Sequence, residues 1–211
     1  MPDEVLTFQY SNADQQRDAV TLGMWAFLAT EVLFFGALIA AYFNYRIWFG
    51  TELITAARMT KVVFGTINTG VLLTSSACMA MAVSSYEAGA RRAPVLWLVA
   101  TALLGTAFIG IKSIEYYLEW QEHLVPALNF DVARYGGVAE IFFLFYFCAT
   151  GLHALHLLIG ISLVLWLAVW IGTERINRAS STTRLIGLYW HFVDIVWIFL
   201  FPLIYLAGRS G

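Results

Sequence analysis

Apolar residues in this chain fall into five long blocks separated by short polar stretches. A helix needs roughly 20 apolar residues to cross the hydrocarbon core of a bilayer. The blocks at about 19–45, 61–86, 94–117, 138–172 and 185–208 all reach that length. The block at 138–172 is the longest, and must tilt or run past the hydrocarbon. The intervening stretches fit helix ends. "EAGARRAP" (87–94) closes on a proline, which suits the first turn of a helix because the missing N–H would have had no partner there. "GTERINRASSTTR" (172–184) is polar and loop-like. "EWQEHLVPALNFDVARYGG" (119–137) is the longest connection, and its aromatic residues suit a membrane interface. The pattern predicts an all-α membrane protein, a five transmembrane helix bundle forming one domain over 19–208. A polar N-terminal segment, 1–18, precedes it. No internal repeat or low-complexity tract interrupts the bundle.

Composition agrees with that reading. Of 211 residues, 60% are hydrophobic and 12% are charged, where a soluble domain carries about 25% charged residues. The net charge of -2 offers no basic footprint for nucleic acid. Cys78 and Cys148 both lie inside apolar blocks and read as buried thiols. The opening "MPDEVLTFQYSNADQQRD" lacks the basic start of a secretory signal, so the first apolar run reads as a retained span. Charge also bears on orientation. Lysines and arginines divide six against six between the two sides. The compact loops on the N-terminal side nevertheless hold Arg91, Arg92, Arg175, Arg178 and Arg184, so the positive-inside rule leans to N-in, C-out.

An ionisable side chain at the bilayer centre costs roughly 2.5–3.5 kcal/mol on insertion scales and survives by facing the bundle and finding a partner. Glu31 lies within "WAFLATEVLFFGALIAAYF", ~16 Å along its block, and Asp194 lies ~14 Å along the last block. The two acids should therefore share a depth if their helices start at the same face. They read either as packing groups or as a proton-related site. His153 and His156 sit three apart in "TGLHALHLLIG" (150–160), and His191 sits three before Asp194, on one helix face. Histidines from different helices can ligate haem. Alternatively, these rings are hydrogen-bond partners for Glu31 and Asp194. An i,i+3 pair on one helix does not by itself bracket a haem, and a zinc or copper site needs more convergent donors. In "GIKSIEYYLEW" (110–120), Lys112 is near enough to the helix end to snorkel. Glu115 and Glu119 are expected to reach the interface, with Lys112 and Glu115 close enough to pair. Asn68, with Thr66 or Thr69, is expected to hydrogen-bond between helices. No P-loop, dinucleotide fingerprint, H-E-x-x-H or nucleophile elbow is present, so no hydrolase or transferase chemistry is visible.

"YWHFVDIVWIFLFPLIYL" (189–206) closely resembles the last helix of subunit III of the haem–copper terminal oxidases, the cytochrome c oxidase subunit 3 family. "GMWAFLATEVLFF" (23–35) looks like that family's buried-glutamate helix and "INTGVLLTSS" (67–76) like its next. "SIEYYLEW" (113–120) resembles the acidic, aromatic end of the third, and "TGLHALHLLIG" the two-histidine motif. The likeness covers about residues 20–206 in the same order. Many members have seven helices; this chain looks like the five-helix form. The resemblance implies a non-catalytic subunit with no haem or copper of its own, packed against the metal-bearing subunit I. Such a subunit supports proton uptake and protects subunit I from inactivation during turnover. Subunit II, and a small subunit IV, are further candidate partners. The place implied is the bacterial plasma (inner) membrane. Under this resemblance Glu31, His153, His156, His191 and Asp194 form a polar seam linking the last helix to its neighbours, not a ligand set. Arg175 and Arg178 read first as a solvated positive-inside loop; the resemblance adds them as contacts for a bound phospholipid head group. The glutamate in "ATEVLFF" fits the cytochrome c branch. The five-helix count fits equally subunit III of a quinol oxidase or a homologue associated with nitric oxide reductase. A stand-alone haem-binding membrane cytochrome is the alternative of another class.

Overall fold

The computed structural model describes residues 13–90, 92–173, 182–207 and 209. Arg91, Arg175 and Arg178 lie outside the described residues. The helices in chain order are α1 (Ala13–Trp48), α2 (Gly50–Ala57), α3 (Val62–Glu87), α4 (Ala93–Gln121), α5 (Val132–Tyr135), α6 (Gly137–Gly172) and α7 (Thr182–Phe201). A π-helical turn, Pro202–Leu206, extends α7. Five of these elements, α1, α3, α4, α6 and α7 with its π turn, are long and apolar enough to cross a membrane.

α7 is the most enclosed of the five spans, and its aromatic residues explain how. Trp190 is fully buried and donates its indole N–H to Ser75 on α3 at 2.9 Å. A Cβ on Gly105 of α4 would lie 2.8 Å from its Cη2, and one on Gly160 of α6 3.2 Å from its Cε3. Two glycines thus let two helices close on one indole, a close approach that small residues permit. Trp197 repeats the arrangement a turn or two along. It donates to Thr69 of α3 at 3.1 Å, stacks edge-on against Phe108 of α4 and lies beside the His153 ring of α6. α1 joins through Phe27 against Tyr189 and through the Tyr42 hydroxyl, which donates to the Leu203 carbonyl at 3.0 Å. These two anchors run in the same direction along both helices, so α1 and α7 are parallel. Glu31 is therefore level with the Phe192–Asp194 turn.

The helices exceed the apolar blocks at their ends. α1 begins inside the polar N-terminal segment, and α4 continues to Gln121. Hydropathy marks the portion in lipid, whereas helix hydrogen bonds continue into polar sequence wherever side chains favour them. The connection after α1 folds into α2, whose Leu53, Ala56 and Ala57 are buried and which packs against α6. At the far end of α7, Pro202 supplies no N–H to the helical ladder. The chain widens there into the π turn, which leaves the Leu203 carbonyl for Tyr42. Two ion pairs tie helix ends together: Lys61 to Glu122 at 2.7 Å, and Arg184 to Glu87.

Candidate functional site

The polar residues singled out in the sequence do not converge on one centre. Glu31 of α1 meets His156 of α6, with Oε2 and Nε2 3.1 Å apart. The other ring nitrogen of His156, Nδ1, lies 2.8 Å from the Leu152 carbonyl, which fixes it as the N–H side because a carbonyl can only accept. Phe35, one turn from Glu31, packs edge-on against the same ring. Both members of the pair are partly exposed, 19% for Glu31 and 14% for His156. This pair thus faces the outside of the bundle at mid-depth.

His191 and Asp194 turn the other way, toward α3. His191 Nδ1 lies 2.8 Å from the Ser76 hydroxyl. The Asp194 carboxylate is buried, and neither oxygen has a hydrogen-bond partner among the described residues. Ser76 is a polar neighbour that interacts with it electrostatically, without meeting hydrogen-bond geometry. The expected seam joining Glu31, the α6 histidines and Asp194 is therefore two separate pairings. The helix period explains this: Tyr189, on the face toward α6, and His191 are two residues apart, ~200° around the helix. His153 is fully buried between Phe108 and Trp197, and neither ring nitrogen has a partner among the described residues. Each histidine ring thus packs with a different set of neighbours. Among the described residues no group of three His, Cys, Asp or Glu side chains is placed to hold a metal.

The larger buried constellation lies where the sequence was expected to reach water. Lys112 does not snorkel; it is 3% exposed, with Glu115 at 0% and Glu119 at 1%. The Lys112 ammonium donates to Glu115 Oε2 at 3.0 Å, to the Tyr146 hydroxyl at 2.8 Å and to the Tyr205 hydroxyl at 2.6 Å. All three of its protons are thereby used. Tyr205 in turn donates to Glu115 Oε1 at 2.8 Å. Lys112 also lies 4.4 Å from the centre of the Tyr146 ring, within range of the attraction between a cation and an aromatic face. Behind Tyr146, the Tyr116 hydroxyl and Thr150 share a hydrogen bond of 2.5 Å.

Removing two charges from water costs several kcal/mol per ion, and only full hydrogen bonding offsets it. The two tyrosine hydroxyls provide that, so the cluster joins α4, α6 and the π turn. Glu119 sits a turn beyond Glu115, interacting electrostatically with Lys112 and Tyr146 while its oxygens lack hydrogen-bond partners among the described residues. The expectation that Glu119 reaches water is overturned, because 112, 115 and 119 share the helix face that α6 and α7 cover. That spacing was the available signal; distance from the helix end was the misleading one. Asn68 likewise departs from expectation, being buried with neither amide atom partnered among the described residues, while Thr66 bonds within its own helix. Thr69 does link helices, by accepting from Trp197.

The chain's similarities run along its whole length. The family profile described as Cytochrome c oxidase subunit III matches residues 4–209. The cytochrome c oxidase subunit 3 of Alkalihalophilus pseudofirmus is 30% identical over 192 residues, covering 90% of this chain and 87% of the relative. The quinol oxidase subunit 3 of Bacillus spizizenii is 31% identical over 209 residues, covering 95% and 96%. The heme-copper oxidase subunit I+III of Aeropyrum pernix is 33% identical over 199 residues, covering 90% of this chain, which spans 23% of that longer protein's length.

Proposed function

The chain belongs to the cytochrome c oxidase subunit III family, and we propose that it is the non-catalytic subunit III of a cytochrome c oxidase. That complex reduces oxygen to water in an aerobic respiratory chain and couples the reaction to proton pumping. In this reading the chain is an integral, multi-pass protein of a bacterial plasma membrane, N-in and C-out. Subunit I carries the haem and copper, and this chain carries neither. Its partners are subunits I and II, with a small subunit IV as a further candidate. A bound phospholipid at Arg175 and Arg178 belongs to the same reading. The chain's work is to stabilise subunit I and support its proton uptake, with Glu31, His153, His156, His191 and Asp194 as the polar groups inside the membrane.

The observation that carries this reading is the family match over 4–209, nearly the entire chain. The separate pairings of Glu31 and His191 support it, because they serve helix contacts and do not frame one reaction centre. They also weaken the stand-alone haem cytochrome, which needs two histidines turned toward one plane. Subunit III of a quinol oxidase is the second reading, favoured by the Bacillus spizizenii relative. Oxygen uptake by the purified complex separates the two. Uptake with reduced cytochrome c and none with quinol is the expected result; the reverse moves the chain to the quinol branch.

A further inference from the structure

Among the described residues, five buried side chains keep a polar atom without a hydrogen-bond partner: Asn68, Glu119, His153, Thr183 and Asp194. They differ in what stands beside them. Ser76 is near Asp194, but its hydroxyl is engaged with His191 at 2.8 Å. Lys112 is near His153, but all three of its protons are used. Glu119 has beside it a donor with a proton still to give.

That donor is Tyr146 of α6, itself fully buried. Its hydroxyl oxygen accepts from Lys112 at 2.8 Å. A phenol also carries one proton of its own, and no hydrogen bond among the described contacts receives it. Glu119, Tyr205 and Glu115 interact with Tyr146 electrostatically, Glu119 foremost. The Tyr205 hydroxyl and both Glu115 oxygens already hydrogen-bond within the Lys112 cluster. The Glu119 oxygens do not. Tyr146 and Glu119 are thus a donor and an acceptor that are neighbours without meeting hydrogen-bond geometry. Water commonly bridges such a pair, and a carboxyl buried with no partner bears the full cost of its desolvation.

The surroundings narrow what can sit there. Glu119 is 1% exposed, so a side chain from a partner subunit does not reach it. The Lys112 ammonium interacts with Glu119 and opposes a metal cation at the same place. Water is small and neutral, and it accepts and donates at once. The way in is short. Glu119 also interacts with Lys61, which pairs with Glu122 at 2.7 Å, and the two side chains of that pair are 25% and 47% exposed. Glu122 lies three residues on, ~4.5 Å along the helix.

We propose that Glu119 and Tyr146 form a buried water site, in which an ordered water accepts the Tyr146 proton and donates one of its own to Glu119. Two polar partners meet the minimum for an enclosed water. The water joins Glu119 to the Lys112 cluster and extends that cluster toward the Lys61–Glu122 end of α4. The site lies within this chain and does not rest on the subunit III reading.

A density map of the purified complex, fine enough to resolve ordered water, tests it. The expected peak lies within about 2.6–3.2 Å of both the Tyr146 hydroxyl and a Glu119 carboxyl oxygen. A direct hydrogen bond between Tyr146 and Glu119, or no peak between them, would overturn the site. Infrared spectra in ordinary and heavy-oxygen water supply a second readout. The difference between the native complex and Tyr146→Phe should contain an O–H stretching band that moves to lower frequency in heavy-oxygen water. Glu119→Gln, which keeps a carbonyl acceptor, should retain that band. A native-minus-Phe difference with no band sensitive to the oxygen isotope would contradict the proposal.

Discussion

Lys112 shows how a single residue can decide whether a buried charge stabilises or destroys the fold. Its three donors are all used, by one carboxylate and two tyrosine hydroxyls. Truncating it leaves the buried Glu115 carboxyl without the ammonium that it accepts from. Lys112→Met should therefore cost about 3–5 kcal/mol, the usual cost of breaking a buried pair from one side. Adding Glu115→Gln should recover a substantial part. Thermal unfolding midpoints of the purified complex measure both, and equal midpoints for the single and double variants would contradict the pairing. Glu31 presents the opposite case. Its bond to His156 is a single contact on the outer side of the bundle, and one hydrogen bond between membrane helices averages about 0.6 kcal/mol. Glu31→Ala should leave the complex assembled while activity fades after fewer turnovers than in the native enzyme. An unchanged turnover lifetime would remove Glu31 from the protective role proposed for this subunit. Glu119 and Asp194 are both buried, so leucine in place of either should perturb packing to a similar degree.

At the scale of elements, α7 is the helix around which the others assemble, and the fit between Trp190 and two glycines sets how closely they pack. Gly105 has no room for a methyl group: its Cβ would also lie 3.1 Å from Ile161. Overpacking of this kind typically costs about 1–3 kcal/mol, so Gly105→Ala should lower the yield of folded chain. Gly110, on the same helix, has nothing within 4 Å of a Cβ position. Gly110→Ala should be neutral or slightly stabilising, because glycine inside a helix costs roughly 0.5–1 kcal/mol relative to alanine. Comparing the yields of the two variants in one membrane preparation checks the contrast, and equal losses would argue against the Trp190 cradle. The π turn adds a second element-level feature, since Arg209 just beyond it donates to the carbonyls of Arg58 at 2.9 Å and Thr60 at 2.7 Å. The end of the last span is thereby tied to the turn between α2 and α3.

For the whole molecule, the five spans were legible because a membrane imposes a length of apolar sequence that counting detects. α2 was not, because eight residues with Leu53, Ala56 and Ala57 as the buried set are too few to register against long apolar blocks. Among the candidate site residues, the partnership of Glu31 with an α6 histidine was foreseeable, since both stand at mid-block with no charged residue within several turns along their own helices. Which histidine, and that Asp194 would stand apart from both, depended on rotation about α7, which depth along the sequence does not report. The Lys112 cluster was misjudged for a related reason. Nearness to a helix end suggested water, whereas Tyr146 and Tyr205, distant in sequence, close over that end. The exposed surface of the spans, including Leu33 at 73% and Leu103 at 66%, is what a bundle in lipid or against further membrane helices requires.

The central claim is that this chain is a metal-free partner of a haem-bearing subunit. A reduced-minus-oxidised absorption spectrum tests it most directly, recorded on the tagged chain purified in mild detergent and again after its partners are stripped away. An oxidase haem signal that co-purifies and then leaves with the partners is the expected result. Haem that stays with the isolated chain would make its histidines ligands and contradict the account.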